Sequence, residues 1–284
     1  MALSDDHAHH GGLAQDLRIL TRRRLFGLVA KSCAGLSLIP ILANCATDNG
    51  DTADGGVDGG TTSDGGTASD GASAGSCTQV PEETGGPYPG DGTNGPNVLT
   101  ESGVVRADIR SSFGSSTGTA AGVPLTVTMT LVSSTTCEPL ANHAVYIWHC
   151  DRDGNYSLYS QGVTDQNYLR GVQVSDASGQ VSFTTIFPAC YSGRWPHIHF
   201  EVYPTVAAAT SATGRVATSQ LAMPKTICDT VYATTGYSQS VTNLAQVSLA
   251  TDMVFSDGAT LELPAVTGSV AAGYTAVITV AVAS

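Results

Sequence analysis

Basic residues are scarce in this 284-residue sequence: twelve Lys and Arg stand against 24 Asp and Glu, for a formal net charge of -12. Five of the twelve (Arg18, Arg22, Arg23, Arg24 and Lys31) fall in the first 44 residues together with only three acids (Asp5, Asp6 and Asp16). That leaves seven bases against 21 acids, a net charge of -14, in the rest of the chain. No basic stripe is available to neutralise phosphates, which excludes a nucleic-acid partner. The acidic balance gives no attraction to anionic lipid either. An anionic substrate would need a locally placed arginine. Histidine is sparse too, with only His143, His149, His197 and His199 beyond residue 76. None of the seven cysteines forms a CxxC pair, which argues against zinc or iron–sulfur sites. The longest apolar stretch, Leu25 to Ala46, is interrupted by Lys31, Ser32, Gly35 and Pro40, so it reads poorly as a membrane span.

What that stretch does fit is export. Thr21-Arg22-Arg23-Arg24-Leu25-Phe26 followed by an apolar run and small residues has the layout of a secretory signal, and its paired arginines resemble a twin-arginine signal. Leu42-Ala43-Asn44-Cys45 resembles a lipobox, which makes Cys45 a candidate lipid anchor. Residues 46–76 contain Gly, Ser, Thr, Ala and six Asp without an aromatic or basic residue. They are expected to be a flexible tether, too polar to offset the entropy of ordering. The expected organisation is therefore an export signal over 1–45, a linker over 46–76 and one domain over 77–284, delivered to the cell envelope or secreted. In an oxidising compartment, Cys77, Cys137, Cys150, Cys190 and Cys228 are expected to form up to two disulfides with one thiol left over.

The domain reads as all-β. Leu125–Leu131, Val181–Ile186, Ile198–Val202 and Tyr274–Val282 alternate apolar with polar residues, Ala144–Trp148 does so more loosely, and Gly, Asp and Ser punctuate the runs. Short strands at this spacing predict a β-sandwich of mainly antiparallel strands with long loops. Asp176-Ala-Ser-Gly179 is expected to be a hairpin connection. No capped amphipathic helix is evident after residue 76, and stretches within 203–250 fit short helices or loops.

His197-Ile-His199 lies in one of these strands. Residues i and i+2 of a strand share a face, so the two imidazoles are placed to bind one metal side by side. Around them the sequence runs Ile147-Trp-His-Cys-Asp-Arg-Asp-Gly-Asn-Tyr156, then Tyr168-Leu-Arg170-Gly with Asp176-Ala-Ser-Gly179, then Thr185-Ile-Phe-Pro-Ala-Cys-Tyr191-Ser-Gly-Arg194-Trp-Pro-His197-Ile-His199. This order resembles the intradiol ring-cleavage dioxygenases over about residues 83–222. The resemblance implies a mononuclear non-haem Fe(III) centre held by Tyr156, Tyr191, His197 and His199. It further implies that Arg194 stabilises negative charge on the substrate, that Gln220 supports the site, and that Tyr88 of Glu83-Thr-Gly-Gly-Pro-Tyr88 approaches it. Two phenolate oxygens are hard anionic donors, which suits ferric iron.

The implied reaction is cleavage of a catechol by O2 between its two hydroxylated carbons, giving a cis,cis-muconate-type product, with one tyrosinate acting as a base. Trp148 and Trp195 read as packing residues, and His143 and His149 as outside the ligand set. Two features depart from the well-known catechol and protocatechuate enzymes. The Tyr191–His197 loop is short, and a long helical N-terminal dimerisation region is replaced by a signal and tether. The chain thus looks closer to an exported single-domain branch. Two other readings compete: an exported non-catalytic module binding a metal or an aromatic, and a copper or zinc enzyme built on His197 and His199.

Overall fold

A computed structural model describes residues 77–284; the signal, the tether and Cys45 lie outside the described residues. Eight strands are described: β1 (Pro124–Ser133), β2 (Ala144–Trp148), β3 (Arg170–Val174), β4 (Gln180–Ile186), β5 (His197–Tyr203), β6 (Ala217–Ala222), β7 (Ala265–Ser269) and β8 (Gly273–Val282). They form two four-stranded sheets, ordered β4-β1-β8-β7 and β3-β2-β5-β6. Every pairing is antiparallel except β1 with β8. The expected β-sandwich is thereby borne out.

In the first sheet the alternation read from the sequence is the alternation of burial. Leu125, Val127, Met129 and Leu131 of β1 point inward beside Tyr274, Ala276, Ile278 and Val280 of β8, while Thr126, Thr128 and Thr130 point out. The core between the sheets is completed by Val145, Ile147, Phe183, Ile198, Phe200 and Val202. The second sheet is different because both of its faces are covered: all residues of β2 and β5 are buried. Its outer face carries a second apolar cluster of Val98, Leu99, Val104, Tyr146, Trp148, Tyr156 and Tyr203.

Two expectations are corrected, and one open stretch is resolved. Asp176–Gly179 is a tight turn, with Asp176 Oδ1 accepting from the Ser178 and Gln180 amides and Gly179 at φ 75°. It is no hairpin, because it passes the chain from β3 in the second sheet to β4 in the first, where β4 finds seven register partners on β1. A side chain at Gly179 would run into the Leu131 carbonyl, so the crossing requires glycine. Only one disulfide forms among the described residues, Cys77–Cys137, with Cα atoms 5.3 Å apart. Cys150, Cys190 and Cys228 stay as buried thiols, packed against the Ala189, Arg194 and Met223 carbonyls at 3.6, 3.4 and 3.8 Å. The stretches within 203–250 that fit short helices or loops hold two helices, α1 (Lys225–Tyr232) and α2 (Ser238–Leu244). Neither has a side-chain cap, and α1 is held by burying Cys228, Val231 and Tyr232. Packing substitutes here for the cap signals that the sequence lacks.

Candidate metal centre

The outer face of β5 presents His197, His199, Glu201 and Tyr203, while Ile198, Phe200 and Val202 face the core between the sheets. The two imidazoles are buried, and their Nε2 atoms lie 3.0 Å apart. Tyr156 Oη is 3.4 Å and Tyr191 Oη 3.5 Å from His197 Nε2. Four donor atoms from three segments therefore converge. Atoms each about 2.1 Å from one ion, at angles of about 90–110°, are separated by about 3.0–3.4 Å. The cluster thus has the dimensions of a single coordination sphere.

Each donor is placed by identifiable contacts. His199 stacks on Trp148, its register partner on β2, with ring centroids 4.8 Å apart and planes 4° from parallel. His197 Nδ1 donates to the Trp195 carbonyl at 2.5 Å, which leaves the Nε2 lone pair directed into the cluster. His199 Nδ1 makes no hydrogen bond of normal geometry, although the Thr84 carbonyl favours a proton on that ring.

Tyr156 is buried on the loop between β2 and β3, and its amide is held by Ser160 Oγ at 2.9 Å. That loop contains two leucines in the left-handed region, Leu158 at φ 73° and Leu169 at φ 56°, a conformation costing about 1 kcal/mol or more each. Arg170 keeps it in shape. All five guanidinium N–H groups are engaged: Nε to Ser157 Oγ at 3.0 Å, Nη1 to the Pro89 carbonyl at 2.9 Å and Tyr146 Oη at 3.2 Å, and Nη2 to the Tyr88 and Ser157 carbonyls at 2.9 Å each. One buried arginine thus ties the Tyr88 segment to the Tyr156 loop, and the Tyr88 ring packs 4.8 Å from that of Tyr156.

Tyr191 is half-buried on the short loop after β4. The residue before it is pinned by α2, since the Cys190 amide donates to Ser240 Oγ at 3.0 Å and Asn243 Nδ2 donates to the Cys190 carbonyl at 2.8 Å.

Arg194 is fully buried, and its charge is matched. Nε donates to Asp252 Oδ2 at 2.9 Å and Nη2 to Gln220 Oε1 at 2.8 Å. Gln220, the register partner of His199 on β6, donates through Nε2 to the Thr84 carbonyl at 2.8 Å. Asp252 also accepts from the Trp195, Val254 and Phe255 amides at 2.7, 2.9 and 3.2 Å. Burial acts to raise the Asp252 carboxyl, but the Arg194 guanidinium outweighs it and holds the group below the usual range. The pair is a preorganised dipole beside the cluster.

Burial, reinforced by Arg194, pushes His197 down to about 3; burial and His197 push His199 well below its ordinary value. Both rings are thus neutral, as metal ligands must be. Two neutral imidazoles with Nε2 atoms 3.0 Å apart, beside two phenol oxygens, are what a bound cation would accept. Among the described residues no group of three or more His, Cys, Asp and Glu is arranged to hold a metal, so the cluster reaches four donors only through its phenols. The residues present fit a ferric ion better than a softer one, because half of the donors are hard oxygens.

The other residues singled out from the sequence fall as follows. Trp195 Nε1 donates to the Met223 carbonyl at 2.9 Å and packs in the core. His149 is held by Thr185 Oγ1 at 2.7 Å and the Cys150 carbonyl at 2.8 Å, and His143 Nδ1 lies 3.1 Å from the Ala141 carbonyl; neither joins the four donors. Sequence reasoning missed Asp252 altogether and quoted Arg170 only as part of a motif. Asp252 had one local signal: it is an acid just before the apolar run Met253-Val254-Phe255, and its Oδ1 accepts from the Val254 and Phe255 amides.

Residues 95–210 match the family model described as Dioxygenase, a span that contains all four donors and ends before Gln220 and Asp252. The chain is similar to chlorocatechol 1,2-dioxygenase of Rhodococcus opacus, 37% identical over 60 residues, and to catechol 1,2-dioxygenase 2 of Acinetobacter lwoffii, 38% identical over 55 residues. Those alignments cover 21% and 19% of this chain and only 23% and 20% of the two relatives' lengths. Among solved structures, an intradiol ring-cleavage dioxygenase from Tetranychus urticae superposes with a TM-score of 0.59 at 24% identity, covering 73% of this chain and 95% of that one, a likeness of fold.

Proposed function

We propose that this chain, whose residues 95–210 match the dioxygenase family model and whose fold is like that of an intradiol ring-cleavage dioxygenase, is a non-haem Fe(III) dioxygenase that cleaves a catechol between its two hydroxylated carbons with O2, giving a cis,cis-muconate-type product. One observation carries the reading: Tyr156 Oη, Tyr191 Oη and His199 Nε2 all lie within 3.5 Å of His197 Nε2. Tyr156, Tyr191, His197 and His199 would hold the iron. When bound, ferric iron supplies a hard Lewis acid that takes up a catecholate and draws electron density from its ring.

The chain's own residues divide the remaining work by their burial. Tyr156 is locked between the Tyr88 ring and the Arg170-braced loop, so it stays in place. Tyr191 is half-buried on a short loop, so it is the tyrosinate able to swing aside and take a proton at Oη from an incoming catechol hydroxyl, leaving as the neutral phenol. Arg194, held by Asp252 and Gln220, directs a fixed dipole at negative charge developing on the substrate. Trp148 and Tyr88 close the site with aromatic surface and exclude water.

Export is part of the same proposal: a twin-arginine-like signal, a lipid anchor at Cys45 and a tether would place the domain outside the cytoplasm. The Cys77–Cys137 disulfide, at the start of the described residues, supports an oxidising location.

The deciding measurement is the visible spectrum of the iron-loaded chain before and after catechol is added in air. A broad visible band that shifts with catechol, followed by ultraviolet growth from a muconate, is expected. A His199→Ala variant should lose the band and lower turnover at least about 100-fold, more than is usual for residues one step removed from a metal. A colourless protein that takes up no iron overturns the ligand set.

A further inference from the structure

We infer that Asp252 is a specificity-determining residue: by pairing with Arg194 it fixes the guanidinium and cancels its charge, so that the site takes catechols whose ring substituents are uncharged and rejects carboxylated ones. This rests on the ferric dioxygenase reading above.

The argument begins with the position of Asp252. Neither its side chain nor that of Arg194 is exposed. The carboxylate takes one guanidinium N–H at 2.9 Å, with a longer contact at 3.5 Å, and three backbone amides, so it is held from five directions in one orientation. Two of the amides belong to the loop that follows α2, and the third is that of Trp195, two residues before His197. A buried ion pair of this kind presents no net charge to a ligand. Breaking it to release Arg194 would leave an uncompensated carboxylate in a low-dielectric interior.

No other base is placed to take over. Arg170 acts on the His199 ring through its charge, but its five N–H groups are already spent on oxygens of Tyr88, Pro89, Tyr146 and Ser157. Arg215 sits 3.0 Å from Glu201 and 3.6 Å from Asp91, two buried acids on the same side of the second sheet. Arg106 is turned into the carbonyls of Asn167 and Arg170. Arg110, Arg152 and Lys225 face acids of their own at the surface. A carboxylated ring would therefore bring an unmatched charge into a buried site in an acidic domain, whereas a hydrogen, alkyl or halogen substituent would not.

The test compares two probes on the iron-loaded full chain without oxygen, so that binding is read from the shift of the visible band rather than from turnover. The probes are 4-methylcatechol and 3,4-dihydroxybenzoate. The wild type is expected to bind the methyl compound at least about tenfold more tightly, a modest demand on one unmatched charge. Asp252→Asn keeps the shape and an acceptor oxygen but removes the charge. It should move the ratio of the two dissociation constants toward the carboxylate by at least about tenfold. A merely structural role would weaken both probes alike, and an unchanged ratio in a variant that still melts cooperatively overturns the proposal. If the variant does not fold, the wild type decides: equal affinity for the two probes overturns it, and a preference for the methyl compound upholds it. A wild-type band that responds to neither probe removes the ferric dioxygenase reading, and this inference falls with it.

Discussion

The two sheets share a core but differ in what lies on their outer faces. The outer face of the first sheet is a field of Thr126, Thr128, Thr130, Ser182, Thr275 and Thr279, half-buried or exposed. The outer face of the second is roofed by the long segments before β1 and between β2 and β3, and under that roof lie His197, His199, Arg170 and Gln220. Both sheets obey the same period-2 rule. The lesson is that alternation alone does not make a site. A site arises where polar side chains alternate into a face that other segments then cover, because burial is what neutralises the histidines and makes fixed dipoles effective.

The largest effect expected from testing that comparison is on the covered face. Arg170→Met should destabilise the chain by about 3–5 kcal/mol, because the buried Pro89, Tyr88 and Ser157 carbonyls lose a shared donor. It should also loosen Tyr156 and broaden the visible band of the iron-loaded protein. Denaturant melts and the spectrum check it, and a loss below about 1 kcal/mol would mean that the roof does not depend on this arginine.

A smaller effect is a pH dependence. His149 is buried, and burial pushes it down to about 4 despite help from the Cys150 carbonyl. A histidine depressed in the fold binds fewer protons than its unfolded counterpart between the two values. Its neutral form is therefore tolerated above about pH 6.5, and stability falls as pH drops from there toward 4. The loss from this one residue should reach about 3 kcal/mol at pH 4. His149→Asn should flatten that limb of the stability–pH curve; a curve of the same steepness would assign the loss to other groups.

The smallest effect belongs to the open face. Thr128→Ala, on β1 between Ser182 and Val277 of the neighbouring strands, should change stability by no more than about 0.5 kcal/mol and leave the spectrum and any turnover unchanged. A large loss there would mean that the threonine face is covered in solution, which would erase the contrast between the sheets.

Legibility in the sequence followed the same division. The strands of the first sheet were readable because one face meets water, so polarity and burial alternate together in Leu125–Leu131 and Tyr274–Val282. Ala144–Trp148 was readable only loosely because both of its faces are buried. The donor residues stood out because Tyr156, Tyr191 and the His197-x-His199 pair are local in the chain and match a known order. The thiol pairing was not readable, since it depends on which cysteines end up within bonding distance, and among the described residues only Cys77 and Cys137 do.

By itself, then, the sequence determined the all-β sandwich and the acidic character of the domain, because strand period and charge are local properties, while the resemblance in residue order singled out the four residues whose donor atoms converge. Only the tertiary structure decided that Asp252, 58 residues beyond Arg194 in sequence, matches its charge; that Arg170 braces the Tyr156 loop from the next strand; and that the Asp176–Gly179 turn joins two sheets instead of two paired strands. Each of these is a meeting of distant segments. It is set by which buried polar groups must find partners once the core closes, and no window of sequence contains both partners.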